Sequence, residues 1–306
     1  MKDKKNNQPL AGKRIGIFGK GGSGKSTVTL LIAKRLIKIG YGVIVLDADS
    51  TNLGLFRLLE IERSPKPLMD YYGGTVFSGG FVTCPVDDPK PLDGAEVELE
   101  RLDKAYYARS PDGIIFLIAG KIGGEGPGAG CDGPVAKIAR DFRVNLDGQL
   151  PVTLIDFKAG LEDTARGVVT SLDMIVFVID PSLVSVEMAV NMKEIVKSIQ
   201  LHNKPATAHL EDPELVGWAN QFYENSHIAG IRFLLNRINS NEEERILEEA
   251  LKQEGIEPSC IIHQAASISS AWMKGEPIRA EEPQKEIQML IMLLEKDVEN
   301  ASIGGM

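Results

Sequence analysis

Short apolar runs recur along the chain, at residues 14–18, 42–47, 114–119, 151–156, 173–180 and 231–236, with a shorter one at 260–263. They are continuous rather than alternating and rich in Val and Ile, the pattern of strands covered on both faces. Between them apolar residues fall at helical spacing. Leu30, Leu31, Ala33, Leu36 and Ile37 mark a helix running to about Ile39, stopped by Gly40. Pro181 and Ser182 open another that runs to about Leu201, and a short one spans 213–223. Asn241 and three glutamates start an acidic first turn, and Ile287, Leu290, Ile291, Leu294 and Val298 carry a last helix over 282–299. Strand and helix alternate, which predicts an α/β fold with a mostly parallel central sheet and helices on both faces.

The pattern loosens over 61–110, apart from a helix expected near 95–108, and again over 202–228; both read as insertions in a single domain spanning 13–299. Residues 1–12 are polar and lysine-rich and read as a mobile tail, and 300–306 as a C-terminal tail.

With 306 residues, 43% of them hydrophobic, the chain can bury a full core. A net charge of −9 argues against a nucleic-acid surface. The start lacks an apolar segment of the secretory kind, and no run is long enough to span a bilayer, so a cytoplasmic location without stable membrane insertion is expected. Cys84, Cys131 and Cys260 are too widely spaced for a disulfide framework or a zinc pattern. His202, His209 and His227 lack ligand spacing and read as surface residues.

Candidate chemistry gathers where strands end. After the first strand come Gly19, Lys20, Gly21, Gly22, Ser23, Gly24, Lys25, Ser26 and Thr27, the spacing of a phosphate loop between strand and helix. Its glycines let backbone N–H groups turn toward phosphate oxygens, the helix N-terminus adds partial positive charge, Lys25 adds a full charge, and Ser26 can ligate Mg²⁺. The second strand ends at Asp47, with Asp49 two residues on, and the fourth at Asp156, followed by Gly160. Carboxylates beside a polyphosphate repel it unless a cation intervenes; Asp47 and Asp156 suit Mg²⁺ through water, and Asp49 suits orientation of an attacking water. Helix capping is the competing use of Asp47 and Asp49. Gly160 can offer its N–H to the γ-phosphate and register its loss. The third long strand runs into a glycine-rich segment, 120–134, holding Cys131 and Asp132. A thiol facing a two-fold axis would meet its own copy and offer a soft metal ion two ligands, while burial as an inert small residue is the competing use.

The string from Lys20 to Thr27 resembles the deviant phosphate loop of the MinD/ParA/nitrogenase-iron-protein group of P-loop ATPases. That resemblance implies ATP hydrolysis by a nucleotide-dependent homodimer, with Lys20 reaching the partner's nucleotide beside the catalytic Lys25 and Asp49. It also implies that Asn236 recognises adenine and that residues 264–267 form a polar loop closing over the base. Segments 120–134 and 156–167 are similar to those of CooC-type ATPases, which insert nickel into carbon monoxide dehydrogenase. The implied role is nickel (Ni²⁺) insertion into a client metalloenzyme of that kind, through Cys131 at the dimer interface. The family's Cys-x-Cys pair is incomplete here, since Cys131 is followed by Asp132 and Gly133, and Lys158 is a further departure. A MinD/ParA-type positioning or scaffold ATPase and an electron donor like the nitrogenase iron protein remain alternatives. One cysteine per subunit at this position and none near 156–167 disfavours a bridged four-cysteine cluster.

Overall fold

The computed structural model describes residues 8–52, 54–121, 131–146, 148–278 and 283–304. The expected runs are strands: β1 (Arg14–Gly19), β2 (Val43–Ala48), β5 (Ile115–Ile118), β7 (Val152–Phe157), β8 (Met174–Ile179), β9 (Gly230–Ile238) and β10 (Pro258–His263). With β4 (Tyr107–Arg109) they form an eight-stranded sheet in the order β10-β9-β8-β1-β7-β2-β5-β4. Every pairing is parallel except β4 against β5. Two further short strands, β3 (Glu96–Glu98) and β6 (Arg143–Asn145), pair in a small parallel sheet of their own.

The helices are α1 (Lys25–Lys38), α2 (Leu55–Leu58), α3 (Leu68–Tyr71), α4 (Gly133–Asp141), α5 (Glu162–Ala165), α6 (Leu183–Gln200), α7 (Pro213–Glu224), α8 (Asn241–Gln253), α9 (Ala266–Lys274) and α10 (Gln284–Gly304). They sandwich the sheet, which explains the apolar runs. On one face Leu46, Ile155 and Phe177 pack with Ile138 of α4, Val186 of α6 and Leu251 of α8. On the other, Ile17, Val45 and Val176 pack with Leu31 of α1, Ala271 of α9 and Leu290 of α10. Gly16 leaves room within β1 where Phe18 and Phe157 stack, 4.4 Å apart; a Cβ at Gly16 would lie 2.5 Å from the Leu172 side chain. Arg14, almost wholly buried, donates to the carbonyls of Phe142 (2.9 Å) and Ala139 and so ties the C-terminal end of α4 to β1.

Several expectations change. Residues 95–108 form no α-helix: Ala95, Leu99 and Leu102 are buried at helical spacing, yet the segment is built of β3, a single 3₁₀ turn and the approach to edge strand β4. The segment from Gln8 to Gly12 is pinned rather than loose, with Leu10 fully buried and Gly12 N donating to the Leu150 carbonyl; residues 1–7 lie outside those described. The last helix continues through Gly304, so most of the expected C-terminal tail is helical. Residues 266 and 267 begin α9 instead of completing a polar loop. The segment 202–228 contains α7, as its spacing suggested.

Candidate functional site

Because the main strands run parallel, their carboxyl ends share one edge, and the loops there converge. β1 ends at Gly19, where a Cβ would lie 2.4 Å from the Val178 carbonyl oxygen. Gly22 (φ 81°) and Gly24 (φ 94°) take left-handed backbone that side-chain-bearing residues avoid. The turn delivers Lys25 to the start of α1, whose first N–H groups receive no side-chain cap. Lys25 folds back so that Nζ donates to the Lys20 carbonyl at 3.3 Å, and burial lowers its pKa. The Ser23 hydroxyl is buried and has no hydrogen-bond partner among the described residues. A glycine-turned loop with an unsatisfied hydroxyl, a buried lysine and open helical N–H groups is suited to an anion. Beside it a cleft of about 600 Å³ reaches Asn236, His263 and Trp272, a volume in the range of small-molecule sites.

The carboxylates come together as the parallel register requires. Asp47 of β2 and Asp156 of β7 are direct neighbours across the two strands, each 1% exposed. Burial pushes the Asp156 carboxyl up to about 6, against the Ser26 hydroxyl, which donates to Oδ2 at 2.6 Å. Burial pushes Asp47 up to about 7, even though Lys121 Nζ lies 2.7 Å from its Oδ2. Two neighbouring carboxylates this deeply buried favour a nearby cation, and oxygen is the donor type that Mg²⁺ takes. Asn52 reaches in and donates to the Ser26 hydroxyl at 3.1 Å.

Other predicted site residues are engaged within the chain. Lys20 pairs with Asp180 at 2.8 Å and donates to Ser182 Oγ at 3.1 Å, at the entrance to α6. Burial pushes the Asp180 carboxyl up, but hydrogen bonds from Lys20, Ser185 and Ser182 outweigh it and hold the pKa below the ordinary value. Gly160, at φ 99°, donates its N–H to the Gly19 carbonyl at 3.2 Å, clamping the segment after β7 onto the phosphate loop. Asp49 accepts from the N–H and hydroxyl of Thr51 at 2.9 and 2.6 Å, a local turn of the capping kind, while still lining the cleft. Asn236 donates to the Ser23 carbonyl at 2.7 Å and lies where a Cβ on Gly24 would fall.

Cys131 stands exposed at the entrance to α4, its sulfur accepting from Gly133 N at 3.4 Å. Residues 122–130, the rest of the expected glycine loop, lie outside those described. Asp132 occupies the N-cap position of α4 yet does not cap it. One carboxylate oxygen accepts from Ser50 Oγ at 2.6 Å, and the other pairs with Lys158. Burial opposes ionisation of Asp132, but Lys158 and Ser50 outweigh it and lower its pKa, while the same hydrogen bond raises that of Lys158. Ser50 follows β2 and Lys158 follows β7, so a single carboxylate joins the Cys131 corner to both loops that flank the nucleotide edge.

Sequence reasoning placed the loop and the carboxylates but not their counter-charges. Lys121, Lys158 and Asp180 bond to residues far away in the chain, so no local spacing announces them. Trp272 was also missed; its indole donates to Thr27 Oγ1 at 2.8 Å and forms a wall of the cleft. Among the described residues no helix is long and apolar enough to cross a membrane.

Residues 17–278 match the family described as the CobQ/CobB/MinD/ParA nucleotide binding domain. Over 285 residues the chain is 29% identical to an uncharacterised ATP-binding protein of Methanocaldococcus jannaschii, covering 92% of this chain and 100% of that one. It is also 29% identical, over 198 residues, to the carbon monoxide dehydrogenase accessory protein CooC of Rhodospirillum rubrum, covering 61% of this chain and 70% of that one. Among solved structures, the septum site-determining protein MinD of Pyrococcus horikoshii, complexed with Mg-ADP, superposes with a TM-score of 0.56. That match covers 93% of this chain and 96% of MinD at 16% identity, a likeness of fold alone.

Proposed function

This chain belongs to the CobQ/CobB/MinD/ParA nucleotide-binding family and is an ATPase, and we propose that ATP closes it into a symmetric dimer around two Cys131 thiols. The dimer holds a soft metal ion, nickel, between the thiols, and hydrolysis opens it to release the ion to a client metalloenzyme. The observation that carries this reading is the Asp132 carboxylate, bonded at once to Ser50 and Lys158. A thiol whose neighbour is tied to both loops of the nucleotide edge cannot keep its position when those loops move. The CooC relative, an accessory protein of carbon monoxide dehydrogenase, supports the choice of client.

In this reading the loop N–H groups and Lys25 hold the β- and γ-phosphates, and Asn236 meets the adenine. Ser26, Asp47 and Asp156 would hold Mg²⁺, directly or through water, and the ion would supply charge neutralisation for the phosphates. Lys20 leaves Asp180 and turns to the partner's nucleotide. Asp49 orients the water that attacks the γ-phosphorus as the bond to the bridging oxygen breaks. Gly160 exchanges the Gly19 carbonyl for the γ-phosphate, so that hydrolysis returns it to the contact seen here.

The test is metal analysis of the anaerobically purified protein, with and without ATP, for wild type and Cys131→Ala. Nickel retained by the wild-type dimer and lost in the variant is expected; equal nickel in both would overturn the metal role. A second reading, recruitment of a protein partner in the manner of a positioning ATPase, is favoured by an apolar cleft of about 310 Å³. Val86, Ala165, Gly167, Leu210 and Phe222 line it, next to the segment after β7. An ATP-dependent complex that survives Cys131→Ala would select that reading.

A further inference from the structure

Gly133, the first residue of α4, is where a second thiol enters. A Cβ built on Gly133 would lie 2.6 Å from both Cβ and Sγ of Cys84, which a side chain could not tolerate without displacing that cysteine. The same residue donates its N–H to Cys131 Sγ at 3.4 Å. Two sulfurs that are distant in the sequence therefore pack against one glycine. Cys84 is half-buried, with hydrogen bonds from the backbone of Val86 and Asp87 reaching its sulfur, whereas Cys131 is exposed. They differ in setting but share a corner. Cys260, the remaining cysteine, is buried in β10 on the far side of the sheet order and takes no part.

Charge and donor count then decide what the pair can hold. Asp132, next to Cys131 in the chain, is already committed to Ser50 and Lys158 and is not available as a ligand. Among the described residues of one chain, no group of three or more His, Cys, Asp and Glu is placed to hold a metal ion. One subunit offers two thiols, while a soft transition-metal ion bound by sulfur takes about four donors. A two-fold axis at this corner doubles the set.

We infer that Cys84 and Cys131 together form the thiolate half-site of each subunit, so that the closed dimer presents four sulfurs to one soft transition-metal ion. This rests on the dimeric reading above and adds what that reading lacks, a second thiol per subunit in place of the Cys-x-Cys partner that the sequence omits. Each thiol that becomes a ligand releases its proton, so binding acidifies the medium.

Cobalt(II) is the probe, because sulfur ligation gives it a thiolate-to-metal charge-transfer band. The reduced full-length chain is titrated anaerobically with Co²⁺, with and without Mg²⁺ and a non-hydrolysable ATP analogue, for wild type, Cys84→Ser, Cys131→Ser, Gly133→Ala and Cys260→Ser. Nucleotide binding by each variant checks that it is folded. The expected result is one cobalt per two chains in wild type and Cys260→Ser. Cys84→Ser and Cys131→Ser should each weaken binding by roughly 10–100-fold or more, the scale seen even for outer-shell partners of a metal. Gly133→Ala keeps both thiols but drives a methyl group into Cys84, and it should weaken cobalt binding as well. Wild-type binding in Cys84→Ser, with loss in Cys131→Ser, would overturn the shared site and leave the dimeric reading standing. One cobalt per chain without nucleotide, lost in both cysteine variants, would uphold the thiol pair and overturn the dimeric reading. Absence of the charge-transfer band in wild type would overturn both.

Discussion

Asp156 and Asp132 are both buried carboxylates at the carboxyl edge of the same sheet, and their surroundings push them in opposite directions. Asp156 is raised to about 6 by burial, with a neutral hydroxyl from Ser26 as its nearest partner and Asp47 beside it. Asp132 is lowered, because Lys158 and Ser50 outweigh its burial. The first carboxylate sits where charge is unbalanced until a cation arrives; the second is already neutralised by the chain. An unbalanced buried charge marks where a ligand belongs, and a balanced one marks where two segments are held together.

Lys20→Ala tests the unbalanced side with the largest expected effect. If Lys20 leaves Asp180 to complete the partner's site, the variant should bind ATP yet lose hydrolysis by about 10³–10⁵-fold, the range of a charge supplied in trans. It should also lose nucleotide-dependent dimerisation by light scattering. Normal turnover would confine Lys20 to its pairing within the chain.

Asp156→Asn and Asp132→Asn form a pair whose effects should be opposite. Removing the Asp156 charge should lower Mg²⁺-dependent hydrolysis about 10–100-fold. It should not lower the melting temperature of the nucleotide-free protein, since an uncompensated buried charge disappears and Asn can still accept from Ser26. Removing the Asp132 charge leaves the part-exposed Lys158 without its partner, so stability should fall by about 0.5–1 kcal/mol in denaturant titrations. Turnover should change less than the stability does, while alkylation of Cys131 should stop responding to ATP. If the two variants melted alike, the contrast between the two sites would have no physical content.

How this was legible in the sequence depends on how local each feature is. The phosphate loop, its strand and its helix are written within Arg14 to Lys38, and the spacing alone identifies them. Asp47 and Asp156 were legible because strand ends in a parallel sheet share an edge. The opposite result came at α4, where Gly133 and Pro134 after a glycine-rich run read as loop, although proline in a first helical turn fits a helix start. The 95–108 segment failed for a related reason: apolar spacing predicts which residues are buried, not whether the backbone between them is helical. The pairs Lys121–Asp47, Lys158–Asp132 and Lys20–Asp180 bridge distant segments, and no periodicity encodes them. Cys84 belongs with these, since only folding brings it to Gly133.

Asp180→Asn should give the smallest change and define how firmly Lys20 is held. The pair is part-exposed, with the Lys20 and Asp180 side chains 32% and 16% accessible, so solvent screening limits its value to about 0.5–1 kcal/mol. Released from Asp180, Lys20 costs less to redeploy, and ATP-dependent dimerisation should tighten by the same free energy, about 2–5-fold. The pH dependence has a definite sign. Asp180 has a folded pKa below its ordinary value, so its contribution is complete above the carboxylate range and is lost as pH falls through the depressed value. The stability gap between wild type and variant should therefore stay constant from about pH 8 to pH 5 and close only below about pH 4, where the carboxylate is protonated. A gap that closed near neutrality would mean that a group other than Asp180 holds Lys20 in the unliganded chain.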